Sequence, residues 1–478
     1  MRRIAGLEGL GAEYDLVVVG AGPAGMAAAA TAASHGLSVL VADEAAGPGG
    51  QVFRAITTTK VARREVLGRD YWEGARLSAA FAASAIDHVP ECAAWYLDAD
   101  LQLGLSACGT SRTIAARRVI LATGALERPF PIKGWTLPGV MTAGAAQILL
   151  KTAGMVAAGR VVLAGSGPLI WLLAAQYLAA GVRPALILET TLSGQWREAA
   201  QHLPSFVLSP YARKGLALMA RMRRAVKVVP GVTELEVEGE APLRVRWTCA
   251  GGTVGAIEAD HVLLHQGVVP NINLAAAAGC ALAWNEAQVC WQPETDALGN
   301  TSLPGIAMAG DGAGIGGAEI AAMRGRIAAL AAAEALGKIS HEDCARLVAK
   351  ERSAMRRFER GRAFLDALYR PARTFRLGAP EAMACRCEEV SVARVRETVA
   401  ALKVQGPNQL KAFLRCGMGP CQGRFCGLTV SEIIADVRGV SPAEVGYYRL
   451  RPPVKPITLA ELAGMKKTEA DVRAVVRS

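Results

Sequence analysis

Hydrophobic and polar positions alternate along the chain in blocks that predict strands joined by helices. Residues 14–43 hold an apolar strand at 16–19, a glycine-rich turn, an alanine-rich helix and a second apolar strand at 39–42. The same order returns at residues 161–189. Continuous apolar runs followed by helices are typical of parallel sheets covered on both faces. The pattern therefore predicts an α/β protein with two Rossmann-like units.

The turn of the first unit carries the G-x-G-x-x-G spacing at Gly20, Gly22 and Gly25. The first glycine permits a tight turn, the second lets the backbone approach a pyrophosphate, and the third lets helix and strand pack closely. The helix begins at about Pro23 and Ala24, so its positive dipole end faces the phosphates. The spacing predicts a dinucleotide site; the alternative is a glycine-rich turn without a ligand.

An acidic residue follows the second strand of this unit. Asp43 comes 18 positions after Gly25, where a carboxylate would accept hydrogen bonds from the adenosine ribose. Glu44 is the competitor for this role.

Three further strings, GPGGQVFR at 47–54, LATGALERP at 121–129 and GIAMAGDGAG at 305–314, occur in this order. Over about residues 14–325 the chain resembles the two-dinucleotide-domain flavoproteins that include thioredoxin reductase and glutathione reductase. The resemblance implies FAD in the first site. It also implies the contacting residues Gly50, Gln51, Arg54, Thr123, Gly124, Gly310 and Asp311. The active C-x-x-C of that family is missing near both nucleotide motifs, so a disulfide reductase is not expected.

The second unit has a degraded turn. Gly165 and Gly167 keep the first two glycine positions, but Ile170 stands at the third. Glu189 ends the next strand, where it would bind a ribose and repel a 2′-phosphate. Three interpretations stay open: an NAD site, a site for another adenine nucleotide, or a structural relic.

Five of the eleven cysteines fall within a short C-terminal stretch, at Cys385, Cys387, Cys416, Cys421 and Cys426. Two close thiolate pairs brought together suit a [2Fe–2S] cluster or Zn²⁺; unligated thiols are the remaining interpretation. Residues 383–430 resemble the bacterioferritin-associated-ferredoxin-like [2Fe–2S] domain. On that resemblance the ligands are the C-x-C pair with Cys421 and Cys426, and Cys416 is the alternative.

Nearly the whole chain resembles the large subunit of bacterial heteromeric amine dehydrogenases, a family that includes opine oxidases, D-hydroxyproline and L-proline dehydrogenases and hydrogen cyanide synthase. The strings that carry the resemblance lie at 122–147, 410–427 and 448–463. It implies a subunit with FAD and a [2Fe–2S] cluster that passes electrons from a catalytic flavoprotein subunit of the amino-acid-oxidase type. A small ferredoxin-like subunit is a further implied partner. The competing hypotheses are a self-sufficient NAD(P)H-dependent reductase and a non-enzymatic module.

The expected organisation follows from these motifs. The FAD-binding domain spans 1–147 and, together with an arginine-rich helical segment, 272–380. The second nucleotide domain spans 148–271, the [2Fe–2S] domain 381–435 and a tail 436–478. No nucleophile triad is visible and the six histidines form no ligand pair, so no catalytic acid or base is named.

Composition and charge limit the classes of protein to which the chain can belong. Hydrophobic residues make up 52% of the 478 positions, which allows large cores and excludes wholesale disorder. The net charge of +11 favours anionic ligands or an acidic partner but is too diffuse to indicate nucleic-acid binding. Neither a secretory signal nor a transmembrane segment is visible. A cytoplasmic protein with reduced cysteines is expected, associated with a membrane at most through its complex.

Overall fold

The first unit is a parallel sheet centred on strand Glu13–Val19. The computed structural model describes residues 1–465, and in it residues 16–19 are at most 8% exposed. Strands Val39–Ala42 and Thr110–Leu121 run parallel to the central strand on either side. The order of the eight-stranded sheet is Arg2–Arg3, Asp87–Val89, Val39–Ala42, Glu13–Val19, Thr110–Leu121, Gln102–Ala107 and Ala93–Leu97, with Ile306–Met308 paired to the end of Thr110–Leu121.

Small residues let two helices of this unit touch through their backbones. Pro23–Ser34 packs on Ala318–Ala335, and a Cβ added at Gly325 would overlap the carbonyl oxygen of Ala24. Alanine-rich helix faces in the sequence therefore reflect close packing and not exposure. Further helices of this unit are Arg64–Leu67, Arg69–Ala83 and Asn273–Ala278, with a short 3₁₀ turn at Gly310–Ala313.

The second unit is a five-stranded sheet in which every pairing is parallel. Its order is Val228–Val229, Leu186–Glu189, Val161–Ser166, His261–Gln266 and Val140–Thr142. A three-stranded antiparallel sheet accompanies it, formed by Val232–Glu238, Leu243–Cys249 and Val254–Ala259. Its helices are Ala143–Ala153, Pro168–Ala179, Ser193–Ala200, Leu203–Val207 and Pro210–Ala225. The expected α/β fold with two Rossmann-like units is confirmed.

An antiparallel ribbon joins the two units. Ala125–Glu127 leaves the first unit and pairs with Val268–Pro270, which returns the chain to it. A hairpin of Leu282–Asn285 and Cys290–Pro293 follows the ribbon.

A small helical unit holds the cysteines. Its elements are strands Met383–Cys385 and Val390–Ser391 and helices Val392–Leu402, Pro407–Leu414, Gly427–Arg438 and Pro442–Val445. Its apolar core also includes Tyr448 and Leu450, which the sequence interpretation assigns to the tail. A last described helix, Leu459–Ala463, lies beyond it.

The arginine-rich segment fastens this helical unit to the rest. It forms helices His341–Glu359, Arg362–Leu368 and Arg373–Leu377. Arg376 pairs with Glu432 and Arg373 with Asp436, both on helix Gly427–Arg438. Arg376, whose side chain is 15% exposed, is therefore buried in a contact between units, whereas Arg373 pairs at the surface with its side chain 71% exposed.

Candidate functional site: a nucleotide cradle beside a cysteine cluster

The glycine turn of the first unit has no room for side chains. A Cβ at Gly25 would overlap the carbonyl oxygen of Gly20, and a Cβ at Gly20 would lie 2.5 Å from the carbonyl oxygen of Ala122. Gly50 has φ of 58°, and a Cβ added there would lie 2.8 Å from the Gly22 Cα, so its loop lies close against the glycine turn. Helix Pro23–Ser34 begins without a capping side chain or an acidic residue in its first turn. Its first amides are thus available to an anionic group.

The two candidate ribose acids lie in different surroundings. Asp43 is 9% exposed, and its oxygens accept the main-chain amides of Ala21 and Ala45, the latter at 2.6 Å. Burial raises the pKa of its carboxyl group. Glu44, the next residue, has a side chain that is 53% exposed and pairs with Lys455. Of the two, Glu44 is therefore the carboxylate that a ribose could reach.

The Thr123–Gly124 turn is tied to the returning strand of the ribbon. The Thr123 hydroxyl donates to the carbonyl oxygen of Asn271 at 2.8 Å, and the Asn271 amide donates to the carbonyl oxygen of Gly124 at 2.9 Å. Gly124 has φ of 68°, a backbone conformation that favours glycine. The turn that the family resemblance places beside the flavin is thus held in one position.

The Gly310–Asp311 motif faces the same cradle. A Cβ at Gly310 would lie 2.7 Å from the Cβ of Ala24, in the first turn of the helix that follows the glycine motif. The Asp311 Oδ1 accepts the amides of Gly316 at 2.8 Å and Gly317 at 3.0 Å. These two amides orient the carboxylate, and the structure brings it together with the first glycine turn.

A lysine from the second unit holds the loop that contains Gln51. The Lys151 ammonium donates to the carbonyl oxygens of Gln51 and Val52 at 3.0 and 2.9 Å and to the Gln147 Oε1 at 2.7 Å. Lys151 is 3% exposed. Burial, helped by the nearby Arg54 guanidinium, lowers the pKa of Lys151 to about 7.

The second glycine turn packs closely against His265 on the neighbouring strand. A Cβ at Gly165 would overlap the carbonyl oxygen of His265, and a Cβ at Gly167 would lie 3.3 Å from the His265 imidazole. Ile170 is 2% exposed and packs with Leu163 in the core between helix and sheet. The side chain at the third position therefore fills the gap that a glycine would leave.

The acid of this second unit is already paired. Glu189 is 4% exposed, and its Oε2 lies 3.4 Å from the Arg223 guanidinium. Burial raises the pKa of Glu189 while Arg223 lowers it. Beside it, buried polar side chains bind each other across the ends of the strands, in the pairs Ser166–Thr191 and Gln266–Thr190. One oxygen of the Glu189 carboxylate is thus paired with Arg223, while the other, Oε1, is buried without a hydrogen-bond partner.

The five C-terminal cysteines contact one another. Hydrogen bonds from Cys416 and Cys426 lower the pKa of the Cys385 thiol to about 2. A hydrogen bond from Cys426 lowers the pKa of Cys421 to about 5. Cys387 contacts Cys421, and its pKa is raised, mainly by burial. These interactions link Cys385 with Cys426, Cys426 with Cys421 and Cys421 with Cys387, and they link Cys416 with Cys385.

Glycine and tyrosine shape the cysteine cluster. A Cβ at Gly419 would lie 3.2 Å from the Cys387 sulfur, and one at Gly417 would lie 2.7 Å from the Tyr448 ring. The Tyr448 hydroxyl is buried without a hydrogen-bond partner, and the charges of Cys426 and Cys416 help to raise its pKa. An unpaired buried hydroxyl next to thiols fits a site that takes a further acceptor, such as cluster sulfide.

A site for a single metal ion would need three or more ligand side chains around one point. Among residues 1–465, no three His, Cys, Asp or Glu side chains converge so as to hold a single metal ion. A [2Fe–2S] cluster shares four thiolates between two irons, so this result does not bear on such a cluster.

One short segment connects the nucleotide cradle with the cysteine cluster. Asn271 is bonded to the Thr123 turn, and two residues later the Asn273 side chain donates to the carbonyl oxygen of Gln422 at 2.9 Å. Gln422 directly follows Cys421, and Asn273 is 4% exposed. Ile272 packs against Leu428 on the helix that follows Cys426. The two sites are therefore neighbours.

Sequence reasoning missed several of these residues. Lys151 and Lys455 carry no local motif, and Tyr448 stands out only as part of a longer string in the tail. His265 belongs to no histidine pair in the sequence, but its Nδ1 lies 2.6 Å from Glu127. Its place at the end of an apolar strand was the available signal. Among the described residues, no helix is both long and apolar enough to cross a membrane.

Comparison with known proteins places the chain in a family. Residues 14–337 match the family described as pyridine nucleotide-disulphide oxidoreductase, and residues 385–465 match the sarcosine oxidase A3 domain. The chain is 49% identical to an opine oxidase subunit from Agrobacterium tumefaciens (strain Ach5) over 472 residues, 97% of this chain and 94% of the relative. It is 31% identical to hydrogen cyanide synthase subunit HcnB of Pseudomonas aeruginosa over 456 residues, 92% of this chain and 96% of the relative.

A solved structure shows the same fold. L-proline dehydrogenase from P. horikoshii superposes with a TM-score of 0.69 at 18% identity, covering 96% of this chain and 80% of the other. The predicted flavoprotein fold and the family resemblance are both confirmed. The chain belongs to the family of these opine oxidase subunits, components of oxidoreductases that act on CH–NH donors, built on the pyridine nucleotide-disulphide oxidoreductase fold.

Proposed function

We propose that this chain is the electron-transferring subunit of a heteromeric dehydrogenase that oxidises a secondary amine or imino acid. The observation that carries the proposal is the short segment Asn271–Asn273, which is bonded to the flavin-side turn at one end and to the cysteine loop at the other. A flavin accepts electrons in pairs and releases them singly, and a [2Fe–2S] cluster carries one at a time. Neighbouring sites for both suit a converter between the two.

The first unit is the proposed FAD site. The glycines of its turn receive the pyrophosphate, a carboxylate at Glu44 accepts from the ribose, and Asp311 accepts from the ribityl chain. Thr123 and Gly124 flank the flavin end. The carboxylate and glycines named for these roles surround one cradle, as described above, and this supports the assignment.

Cys385, Cys387, Cys421 and Cys426 are the proposed cluster ligands. Cys426 and Cys421 connect the two cysteines of the C-x-C pair in this series of contacts, and Cys416 stands at its end beside Cys385. Two of the four belong to the C-x-C pair and two to the later loop, and together they supply the four thiolates that a [2Fe–2S] cluster takes. Thiolate ligands also suit the reducing cytoplasm, where we place the protein.

The substrate is oxidised elsewhere in this proposal. The relatives are named as subunits of opine oxidase and of hydrogen cyanide synthase, which supports a hetero-oligomer. We assign amine oxidation to a partner flavoprotein subunit of the amino-acid-oxidase type, and we name no catalytic acid or base in this chain. Opines, hydroxyproline and proline are the candidate substrate class.

The second nucleotide fold is assigned a structural role. Glu189 is buried and paired with Arg223, and Ile170 fills the space between helix and sheet that a glycine would leave at the third position. This arrangement disfavours the alternative of a self-sufficient NAD(P)H-dependent reductase. It equally disfavours another adenine nucleotide at that turn.

The test is an anaerobic visible spectrum of the purified chain before and after addition of NADH, combined with iron, zinc and acid-labile sulfide analysis. The proposal expects oxidised-flavin and iron–sulfur bands that NADH does not bleach, and that amine substrate bleaches only when the partner subunit is present. Rapid bleaching by NADH would establish the reductase instead. Stoichiometric zinc without labile sulfide would overturn the cluster assignment.

A further inference from the structure

The C-terminal segment returns from the cysteine unit to the first nucleotide unit. Val454 is 2% exposed, lies in the core beneath the first sheet, and donates its amide to the carbonyl oxygen of Trp95 at 2.9 Å. Further on, Glu461 accepts a hydrogen bond from the Ser106 hydroxyl and caps the start of helix Leu459–Ala463. The segment is thus anchored on both sides of the residues between these contacts.

Lys455 lies between the two anchors and reaches the end of strand Val39–Ala42. Its ammonium is 2.7 and 2.8 Å from the two carboxylate oxygens of Glu44. The lysine side chain is 21% exposed and that of Glu44 is 53% exposed. The cation is therefore mostly covered, while the carboxylate is open on its other side.

The open carboxylate stands where the adenosine ribose is expected. In Rossmann-type sites an acid at the end of this strand accepts from the ribose hydroxyls. Asp43 is 9% exposed and accepts main-chain amides, whereas the Glu44 side chain is 53% exposed, so Glu44 is the acid that a ribose could reach.

We propose that Lys455 is a positioning residue for the adenosine end of the first nucleotide site. The C-terminal segment from Val454 to Glu461, here called the clasp, then closes over that end. The inference rests on the proposed FAD site. The ammonium occupies acceptor positions on one side of the Glu44 carboxylate and leaves the other side to the ribose hydroxyls. It also offsets the repulsion between the neighbouring carboxylates of Asp43 and Glu44.

Binding of FAD to the full chain after removal of its flavin tests the clasp. Dissociation constants are measured by quenching of flavin fluorescence for the wild type, Lys455→Met, Glu44→Gln and the double variant. We expect each single variant to bind about tenfold more weakly, as for loss of a charge-assisted hydrogen bond. The double variant should be no weaker than Glu44→Gln, because the lysine acts through the carboxylate.

Lys133→Met is the control, since Lys133 forms a partly exposed lysine–glutamate pair with Glu238 of the other unit. It should leave FAD affinity unchanged. Unchanged or tighter binding by Lys455→Met, or losses that multiply in the double variant, would overturn the inference while the proposed function stands. A wild-type chain that takes up no FAD would overturn both.

Proteolysis gives a second readout that is independent of activity. Leu459 is 85% exposed and lies within the clasp. Thermolysin cleavage near this residue should slow when FAD binds the wild type, and should be insensitive to FAD in Lys455→Met. Equal protection in both proteins would contradict the clasp.

Discussion

The Nδ1 of His265 lies 2.6 Å from the Oε1 of Glu127, at the point where the connecting ribbon meets the second unit. The same carboxylate accepts the main-chain amide of Gly144, in the first turn of helix Ala143–Ala153. His265 in turn lies under the second glycine turn. One carboxylate thus holds a strand end, a helix start and the ribbon together.

We expect Glu127→Gln to lower the free energy of unfolding by about 1–3 kcal/mol, because hydrogen bonds to a charged, largely buried acceptor are among the stronger ones. Urea denaturation measures the change. Glu258→Gln is the control, since Glu258 pairs with Arg160 on the surface and should contribute less than about 1 kcal/mol. Equal effects of the two substitutions would contradict the bridging role.

Lys151 gives a dependence on pH with a definite sign. Burial, and after it the nearby charge of Arg54, lowers its pKa from the ordinary 10.5 to about 7 in the folded chain. Between pH 7 and 10 the unfolded chain binds more protons at this residue, so folded stability gains as pH rises. Relative to Lys151→Met, the wild type should gain up to about 1.4 kcal/mol per pH unit in this window and nothing below it. Parallel denaturation curves for the two proteins would refute the shift.

The cysteine contacts predict which thiols hold iron. Cys421→Ala should lose iron and labile sulfide, because Cys421 connects Cys426 with Cys387 in the series of contacts. Cys416→Ala should keep the iron content of the wild type and lose only a little stability as a buried thiol. Cys280→Ala, a buried cysteine remote in sequence, controls for cavity effects. Loss of iron in Cys416→Ala would reassign the ligands.

Restoring the third glycine should not restore an NAD site. Ile170→Gly removes a core side chain and adds a helical glycine, so we expect a loss of about 3–6 kcal/mol. The flavin should still not be bleached by NADH, since Glu189 stays buried and paired with Arg223. Ile170→Ala, which is less costly, keeps the test usable if the glycine variant unfolds. Bleaching by NADH in either variant would show that the second turn can bind this cofactor.

Local spacing explains what the sequence could predict. The glycines at 20, 22 and 25 lie within one turn, and the cysteines within one short unit, so their roles follow from adjacent positions. Asp43 and Glu44 could not be separated in this way, because which carboxylate faces outward depends on how the chain turns after the strand. Lys455 lies 411 positions from Glu44, and no local pattern links the two.

Lys151 and His265 escaped prediction for the same reason. Lys151 is buried because carbonyl oxygens from another unit surround it, and a lysine in a helix ordinarily faces solvent. His265 ends an apolar strand, where its partner comes from a ribbon 138 positions earlier. Contacts between units depend on the assembled fold.

The segment Asn271–Asn273 also has a kinetic consequence. Three consecutive residues span the space between the proposed flavin turn and the cysteine loop, and hydrogen bonds hold this short segment at each end, which limits changes in their separation. No swinging of one unit against another is then needed to bring donor and acceptor together. On the proposed function, the rate of electron transfer from the flavin to the cluster should be the same in dilute buffer and in concentrated glycerol, because no domain motion limits it.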